Sequence, residues 1–347
     1  MEIKNSEIDN YLVIVKCMTY NQHSFIEDAM NGFCMQKTNF PYLCIIMDDC
    51  STDREQEVIK QYVETKFGSI TKSETEDYIL NLCQHRTNKN CYFAVFYLKY
   101  NHWTAKKRKD QYFSKWQNNC KYIALCEGDD YWTDENKLQI QVNLLEKHPE
   151  YSASFHDVKI FNEKENKIVD NYIFRKVPED LTLSELAKNF CIPTCSFIYR
   201  ENSNLQTKLS KLGTMPFGDY SLELFVAENG LIRKIKKDMG VYSVGSGITT
   251  STFNNPYLNF KRYLNDYMAM TKLWMILEDS EAKKNMQKHI EDDEKIIMNI
   301  YTNAQKLAEE YYKTIDVYNS FSFKLGKFIT TPFRWIKKLI KTKNNEE

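Results

Sequence analysis

The sequence predicts an α/β fold with a mostly parallel central sheet, flanking helices and a helical C-terminal extension. Continuous apolar runs alternate with helical apolar patterns from the start of the chain to about residue 150. Such runs are typical of parallel strands whose two faces are both covered by helices. Beyond about residue 257 only helical patterns remain, and the polar stretch 246–256 separates them from the α/β part.

Four continuous apolar runs in the first half predict the strands of the central sheet. These runs are YLVIVKC at 11–17, YLCIIM at 42–47, YFAVFYL at 92–98 and KYIALC at 121–126. Helical apolar spacing predicts a helix at 23–36, between the first two runs, and another at 135–147, after the fourth. Thr52 and Glu55 have the spacing of a capping box, which predicts a helix that continues to about Phe67.

The rest of the chain divides less regularly. We interpret the polar segments 68–91 and 99–115 as an insertion with surface helices. Thr182 and Glu185 form a second capping box. Further strands are predicted at 152–161, 195–199 and 231–244, and further helices at 218–229 and about 257–317. The predicted domains are an α/β domain at 1–250, a helical extension at 251–320 and a basic amphipathic tail at 321–347.

Composition excludes several classes of function. Lys plus Arg and Asp plus Glu both number 47, so the net charge does not favour nucleic-acid binding. The polar start MEIKNSEIDN lacks the pattern of a signal peptide, and no run approaches the roughly 20 apolar residues of a membrane span. The ten cysteines contain no CxxC pair and no zinc-like cluster. We therefore expect a cytoplasmic protein with reduced, mostly buried thiols.

Polar clusters follow three of the predicted strands. The clusters are Thr19-Tyr20-Asn21, Asp48-Asp49 and Glu127-Gly128-Asp129-Asp130. The carboxyl ends of parallel strands meet at one edge of a sheet, where ligands bind in folds of this kind. The sequence therefore predicts that the three clusters meet there.

Carboxylates crowded at one edge repel each other unless a cation or a proton relieves them. Magnesium and manganese prefer oxygen ligands, and magnesium commonly takes one or two protein carboxylates together with substrate phosphates. The edge is therefore suited to a metal–diphosphate complex. The alternatives are that Asp53 and Glu127 cap helices or pair with a basic neighbour. Asp129 and Asp130 end an apolar strand, where burial without a cation is costly.

The segments MTYN, DDCSTD and EGDDYWTDENKLQ resemble family 2 glycosyltransferases, and the resemblance runs from about residue 11 to 245. It implies a GT-A fold, a nucleotide-sugar donor, inverting transfer and a divalent metal, Mn²⁺ or Mg²⁺. It also implies a nucleobase contact at Asp48 and Asp49, the latter being the more important. Thr19, Tyr20 and Asn21 belong to the same nucleotide-sugar site.

The resemblance assigns further roles to the later acids. Glu127 and Asp129 match positions that face the ribose or donor sugar, and Asp130 matches the metal ligand. Asp219, in the stretch FGDY, matches the catalytic base. The alternative for Asp219 is a helix N-cap, because a helical pattern begins there. Weaker predictions place His156 and Trp132 on the acceptor side.

The sequence departs from the family pattern at several positions. Glu127 replaces the usual first Asp of the acidic motif, and its longer side chain puts the ribose contact in question. Gly218 precedes Asp219, so this stretch offers one acid rather than a pair. Met18 stands where Pro or Thr is usual. The segment 68–110 is longer than expected, which leaves the acceptor side open.

The tail 321–347 carries apolar residues at helical spacing among many lysines and Trp335. That composition is typical of a helix that lies in an anionic membrane surface. The alternative is a helix packed on the protein with a solvated basic face. The first interpretation implies a peripheral position on the inner face of the cell membrane, near a lipid-linked acceptor.

Taken together, the sequence predicts an inverting glycosyltransferase that uses a nucleotide sugar, with UDP as the family default. Resemblance alone suggests cell-surface polysaccharide or lipopolysaccharide assembly, with a saccharide or lipid-linked acceptor. A sugar nucleotidyltransferase is an alternative, but MTYNQHS lacks the Gly-rich and basic loop expected after its first strand. A membrane-associated scaffold without turnover is the other alternative.

Overall fold

A computed structural model describes residues 10–170, 177–188, 192–212, 218–245 and 256–314. Within it the contacts divide the chain into two compact units. The first contains Met1–Ser251 and Lys272–Met286, and the second contains Thr252–Thr271 and Gln287–Glu347. All the residues of the candidate site belong to the first unit.

The described chain is a mixed α/β structure with twelve strands in one sheet. The strands are β1 Val13–Thr19, β2 Tyr42–Asp48, β3 Phe67–Glu74, β4 Tyr78–His85, β5 Cys91–Leu98, β6 Tyr122–Leu125, β7 Tyr131–Trp132, β8 Tyr151–Asn162, β9 Lys167–Asp170, β10 Asp180–Leu181, β11 Ile198–Arg200 and β12 Leu231–Val244. The helices are α1 Ile26–Cys34, α2 Glu55–Lys66, α3 Ser114–Gln117, α4 Lys137–Lys147, α5 Leu183–Leu186, α6 Ser203–Leu212, α7 Gly218–Ala227, α8 Pro256–Ile276 and α9 Ser280–Thr314.

Four parallel strands form the centre of the sheet, in the order β6-β1-β2-β5. Each coincides with a predicted apolar run, and β2 is buried along its whole length. Because helices α1, α2 and α4 alternate with these strands, the apolar residues have a partner on both faces of the sheet. The predicted α/β architecture with a parallel centre and C-terminal helices is confirmed.

The segment after α2 differs from the prediction of surface helices. It forms an antiparallel hairpin, β3 and β4, which adds to the sheet beside β5. The hairpin turns at Thr75, whose hydroxyl accepts hydrogen bonds from the backbone N–H groups of Asp77 and Tyr78. β3 is an edge strand, and most of its residues are exposed. Its sequence is therefore polar and does not alternate between apolar and polar residues.

The other half of the sheet combines antiparallel and parallel strands. β11 pairs antiparallel with both β6 and β8, and β12 runs parallel to β8. The short β7, which follows the acidic motif, pairs with the later part of β12. This pairing brings the end of β12 beside the ends of the central strands. The predicted strands at 152–161 and 231–244 are confirmed, and the one at 195–199 begins later, at Ile198.

The two predicted capping boxes have different outcomes. Thr182 and Glu185 exchange both hydrogen bonds of a capping box at the start of α5, as predicted. At the start of α2, Arg54 occupies the N-cap position in the left-handed region, with φ of 75° and no side-chain cap. The prediction for Thr52 and Glu55 is therefore wrong, because the Glu55 carboxylate bonds to the end of β1 instead.

Helices follow the sheet at the C-terminal end of the described chain, as predicted. α8 and α9 cover Pro256–Ile276 and Ser280–Thr314. Throughout the part that the structure describes, no helix has both the length and the apolar character that a bilayer span requires. The basic tail at 321–347 lies outside the described residues. The predicted domain boundaries at 250 and 320 stay predictions.

Candidate functional site

The three predicted polar clusters meet at one edge of the central sheet. Thr19 and Asp48 occupy the last paired positions of β1 and β2. The backbone N–H of Asp49 donates to the carbonyl oxygen of Thr19 at 3.0 Å. On the other side of β1, the N–H of Gly128 donates to the carbonyl oxygen of Met18 at 3.3 Å. Strand pairing therefore brings together residues that are more than 100 positions apart.

Glu55 joins the ends of β1 and β2. Its carboxylate accepts hydrogen bonds from the Thr19 hydroxyl, from the N–H of Gln22 at 2.9 Å and from the Ser51 hydroxyl at 2.8 Å. Glu55 is fully buried, and burial raises the pKa of its carboxyl. The buried acid is satisfied by these donors, so it fixes the two loops relative to each other.

The loops after β1 and β2 also bond directly to each other. The N–H of Asn21 donates to the Ser51 hydroxyl at 2.9 Å, and the Asn21 side-chain oxygen accepts from the N–H of Thr52 at 2.7 Å. Asn21 and Cys50 both have positive φ, 56° and 62°. Asn tolerates this conformation better than most residues. Asn21 thus holds the loop, and the neighbouring Tyr20 side chain is 45% exposed.

The two aspartates after β2 are both buried. Asp48 accepts hydrogen bonds from the N–H of Ser51 at 3.2 Å and from the side-chain amide of Gln56. Burial raises the pKa of Asp48, and these hydrogen bonds act in the opposite direction. Asp48 therefore closes the turn that follows the strand. Asp53 acts similarly, because its oxygens accept from the N–H groups of His23 and Glu55.

Asp49 holds a segment that is far away in the sequence. Its oxygens accept from the N–H of His102 at 2.6 Å, from the N–H of Trp103 at 3.2 Å and from Lys109 Nζ at 2.9 Å. The side-chain amide of Asn101 donates to the carbonyl oxygen of Asp49 at 3.1 Å. Asp49 is only 2% exposed, so most of the acceptor capacity of this carboxylate is used within the protein.

The segment held by Asp49 is in turn fixed to the β3–β4 hairpin. The ring nitrogens of the buried His102 contact the Tyr100 carbonyl oxygen and the Tyr112 hydroxyl, both at 2.9 Å. Tyr112 donates to Asp77 in the hairpin turn at 3.0 Å, and Lys107 donates to the same side chain at 2.6 Å. The Lys107 ammonium lowers the pKa of Asp77 to about 2. The β3–β4 hairpin therefore helps to hold in place the segment that is bonded to Asp49.

The acidic motif after β6 lies beside this hydrogen-bonded network. Asp130 is 2% exposed and accepts the N–H of Ser243 at 2.8 Å, while the Ser243 hydroxyl donates to the Asp129 carbonyl oxygen at 2.6 Å. Burial raises the pKa of Asp130 well above its ordinary value, and the charges of Asp129 and Glu127 add to this rise. Burial likewise raises the pKa of Asp129.

Glu127 is the most accessible acid of the motif. Surrounding protein raises its pKa to about 7, with further contributions from Asp129 and Asp219, and the charge of Lys109 opposes this rise. Asp219, on the distant helix α7, therefore acts electrostatically on the motif. Lys109 connects the two parts of the site, because it is also bonded to Asp49.

Gly128 allows the acidic motif to approach the end of β1 closely. A Cβ atom at this position would lie 2.3 Å from the Thr19 hydroxyl oxygen and 2.5 Å from Gln22 Oε1. Atoms of a side chain cannot approach so closely, so only glycine fits without movement of its neighbours. The tight contact places the carboxylates directly against the loop of β1.

The predicted base lies in the first turn of α7, where it is half-buried. Burial raises the pKa of Asp219. One helical turn later, Glu223 is 1% exposed, and its Oε2 atom has no hydrogen-bond partner in the described structure. Burial raises the pKa of Glu223 well above its ordinary value, and the charge of Asp219 adds to the effect. Glu223 was not singled out in the sequence, since acids at helical spacing are common on exposed faces.

The acids of the motif have the right chemistry to bind a divalent cation, but they do not form a full ligand set by themselves. Within the described ranges, no group of three or more His, Cys, Asp or Glu side chains is arranged as a metal-ligand set. Glu127, Asp129 and Asp130 nevertheless offer carboxylate oxygens as ligands, and the pKa of each of the three carboxyls is raised. Mg²⁺ commonly binds one or two carboxylates and completes its shell with substrate phosphates and water.

The two weakly predicted acceptor residues lie inside the protein. His156 has no exposed surface and Trp132 is 2% exposed. The Trp132 indole donates to the Cys195 carbonyl oxygen at 2.8 Å, and the Lys137 ammonium lies 3.7 Å from its ring centroid. Burial lowers the pKa of His156 to about 3, with a contribution from the charge of Lys137. Their acceptor role stays a prediction that these positions do not favour.

Comparison with known sequences gives one family. Residues 15–205, more than half of the chain, match the profile described as glycosyl transferase family 2. An uncharacterized protein of Mycobacterium tuberculosis is 31% identical over 228 residues. The alignment covers 65% of this chain and 56% of that protein, so the chain spans little more than half the length of its relative.

Two solved structures are similar in fold. The mannosyltransferase PcManGT from Pyrobaculum calidifontis, in complex with GDP-Man and Mn²⁺, has a TM-score of 0.50 and 14% identity. The similarity covers 94% of this chain and 84% of that protein. A fragment of S. aureus TarS in complex with UDP has a TM-score of 0.49 and 15% identity, covering 79% and 69% of the two chains. The first likeness supports the GT-A architecture that the resemblance implies.

Proposed function

This chain belongs to glycosyl transferase family 2, and from this premise we propose that it transfers a sugar from a nucleotide-sugar donor to an acceptor hydroxyl, with inversion. The observation that carries the proposal is the meeting of the three strand ends. They bring two hydrogen-bonded loops together beside a group of acids with raised pKa values. A nucleoside diphosphate with a divalent metal has the size and charge to join these two parts.

The nucleotide end of the donor is assigned to the loops after β1 and β2. Tyr20 offers an exposed ring, and Thr19 and Asn21 fix the loop that carries it. Asp48 and Asp49 keep the adjacent turn and the segment 101–109 in place. In this proposal Asp49 acts on the nucleobase mainly through the segment that it holds, because little of its own surface is accessible.

The diphosphate end is assigned to the acidic motif. Asp130 would hold Mn²⁺ or Mg²⁺, with Asp129 and Glu127 toward the ribose or donor sugar. A bound divalent cation would supply charge stabilisation for the departing diphosphate. The mannosyltransferase of similar fold, which was solved with GDP-Man and Mn²⁺, supports this assignment. The raised pKa values of these acids support it as well, because burial is their main cause and a bound cation stabilises the charged form of a buried carboxylate.

Asp219 is the proposed general base. It would accept the proton of the acceptor hydroxyl while the hydroxyl oxygen attacks the anomeric carbon opposite the diphosphate. An aspartate with its ordinary pKa near 3.9 is a weak base. Burial raises the pKa of Asp219, which strengthens it as a proton acceptor. Glu223, one helical turn later, is buried as well, and burial together with the charge of Asp219 raises the pKa of its carboxyl.

A thermal-shift panel with a transfer assay tests the proposal. UDP, GDP and dTDP would each be added with Mn²⁺, Mg²⁺ or EDTA, since a ligand that binds the folded state raises its melting temperature. We expect one nucleotide to stabilise the protein in the presence of metal. Asp130→Asn should remove the metal-dependent part of the shift. If no nucleotide shifted the melting temperature and no donor were hydrolysed, the proposal would fail. The alternative of a scaffold without turnover would then remain.

Membrane association and the pathway are further parts of the proposal. The basic residues and spaced apolar residues of 321–347 suit an anionic surface, which supports a peripheral position at the inner leaflet. A saccharide or lipid-linked acceptor of a surface polysaccharide pathway would then be within reach. Sedimentation with anionic liposomes, compared between the full chain and a chain ending at residue 320, tests this; equal binding of both would refute the role of the tail.

A further inference from the structure

Trp103 is an exposed tryptophan at the edge of the candidate site. Its side chain is 62% exposed. The other tryptophans within the described ranges are buried, with exposures of 2% for Trp116, 2% for Trp132 and 7% for Trp274. Tryptophan is enriched at binding interfaces, because it combines a large apolar surface with one polar group, so an exposed indole beside a site is a candidate for ligand contact.

The backbone that carries this ring is fixed. The Trp103 N–H donates to Asp49 at 3.2 Å, and its carbonyl oxygen accepts from the N–H of Lys106 at 3.1 Å. The preceding Asn101 accepts the N–H of Thr104 at 2.7 Å and donates to the Asp49 carbonyl oxygen. The indole therefore projects into solvent from a hydrogen-bonded turn that the buried Asp49 anchors. Ligand binding would not need to order the backbone of this turn.

The turn lies at the nucleotide end of the site. Asp49 connects Trp103 to β1, since the Asp49 N–H donates to the carbonyl oxygen of Thr19, the residue before Tyr20. Tyr20 and Trp103 thus carry exposed rings, at 45% and 62%, on two segments that hydrogen-bond to Asp49. The Lys109 ammonium, 2.9 Å from Asp49, binds the same carboxylate as the Trp103 N–H.

Resting on the proposed function, we infer that Trp103 binds the nucleobase of the donor by stacking. Three donors from the segment 101–109 occupy the Asp49 carboxylate, which leaves it little capacity to read the edge of a base. An aromatic face needs no such capacity, because every base has a π-face on which a ring can stack. The nucleobase stacks on the Trp103 ring, and Asp49 positions the turn that carries this ring.

Paired substitutions at this exposed position test the inference. Trp103→Ala removes the ring, and Trp103→Phe keeps an aromatic face. UDP and GDP affinities would be measured by calorimetry with Mn²⁺ present, and inorganic pyrophosphate with Mn²⁺ serves as a probe that lacks a base. Trp103→Ala should weaken nucleotide binding roughly five- to hundredfold, as loss of a base–aromatic stack does. Trp103→Phe should lose about threefold or less, and pyrophosphate binding should be the same in all proteins.

Ile168→Ala, at an exposed residue of β9, is the control for loss of exposed apolar surface. Equal nucleotide affinities of the wild type and Trp103→Ala would overturn the inference. If, in addition, Trp103→Ala raised the KM for the acceptor, Trp103 would be an acceptor contact instead. A wild type that binds no nucleoside diphosphate would fail the proposed function itself, and with it this inference. Equal melting temperatures of the variants ensure that only binding is compared.

Discussion

The two halves of the candidate site differ in how far their polar groups are satisfied. At the nucleotide end, the buried acids Glu55, Asp48 and Asp49 each accept two or more hydrogen bonds from fixed donors. At the acidic end, Asp219 accepts only the neighbouring N–H of Tyr220 among the bonds that the described residues show, one oxygen of the buried Glu223 has no partner among them, and burial raises the pKa of both carboxyls.

This difference indicates which interactions serve folding and which serve a ligand. A satisfied buried network stabilises one conformation and gives a rigid wall for a ligand. Crowded acids destabilise the folded state and persist where a cation, a proton or a substrate compensates them. Substitutions at the nucleotide end should therefore cost stability, and substitutions at the acidic end should cost activity.

Asp219→Asn gives the largest expected effect on activity. Removal of a general base commonly lowers the rate by about 10²–10⁴-fold, and we expect a loss of transfer within that range. The melting temperature should stay equal or rise, because the amide ends the repulsion of Asp219 with Glu127 and Glu223. The measurements are initial transfer rates with saturating donor and a thermal melt. A variant that keeps most of its rate would remove Asp219 from the mechanism.

Lys137 permits a pH test of the interior near the acidic end. Its Nζ atom is buried, has no hydrogen-bond partner in the part that the structure describes and lies over the Trp132 ring. Burial lowers the pKa of Lys137 to about 7. Between this value and the unfolded value near 10.4, the unfolded chain binds more protons, so this group makes the free energy of unfolding rise with pH.

Lys137→Met should remove that contribution. The stability of the wild type relative to the variant should increase by up to about 1.4 kcal/mol per pH unit between pH 7 and 10, and stay constant below pH 7. Urea unfolding at several pH values, with the difference between the two proteins plotted, cancels the other titrating groups. Parallel stability curves of the two proteins above pH 7 would mean that the buried amine keeps its ordinary pKa.

Asp49→Ala tests the satisfied end of the site. It leaves the N–H groups of His102 and Trp103 and the Lys109 ammonium without their acceptor, and unpaired buried donors cost about 1–3 kcal/mol each. We expect a loss of about 2–4 kcal/mol in urea unfolding, together with weaker nucleotide binding. Lys109→Met keeps both backbone hydrogen bonds and should cost less. A stable Asp49→Ala protein would contradict the anchoring role.

Much of the fold follows from local sequence patterns. The strands β1, β2, β5 and β6 were predictable because both faces of a central parallel strand are buried and only apolar runs satisfy that demand. The meeting of their polar ends follows from parallel pairing alone. The β3–β4 hairpin was not predictable in this way, because an exposed edge strand tolerates polar residues on both faces.

The roles of particular acids were harder to predict than their location. Glu55 has the spacing of a capping box with Thr52, yet its partners are Thr19 and Gln22, more than 30 residues earlier. Asp49 resembles a base-reading carboxylate, while its actual donors come from 101–109. Such contacts depend on how a loop returns to the sheet, which neither spacing nor periodicity encodes.

Gly128 lies where the two halves of the site touch, and its substitution should cost less stability than Asp49→Ala. In Gly128→Ala the new Cβ would lie 2.3 Å from the Thr19 hydroxyl oxygen and 2.7 Å from Thr19 Cβ. Relief of this overlap must move the acidic motif away from β1, at a cost of about 1–3 kcal/mol. Donor affinity should fall as well, since the carboxylates would shift relative to the nucleotide wall.

Gly218→Ala is the matched control, because a Cβ there meets no atom of the described residues within 4 Å. It lies next to Asp219, so it also controls for small changes near the proposed base. We expect equal or slightly higher stability and unchanged donor affinity for this variant, measured by urea unfolding and by nucleotide titration. If Gly128→Ala behaved like Gly218→Ala, the contact between the two halves would be loose, and the rigid nucleotide wall could not position the acids.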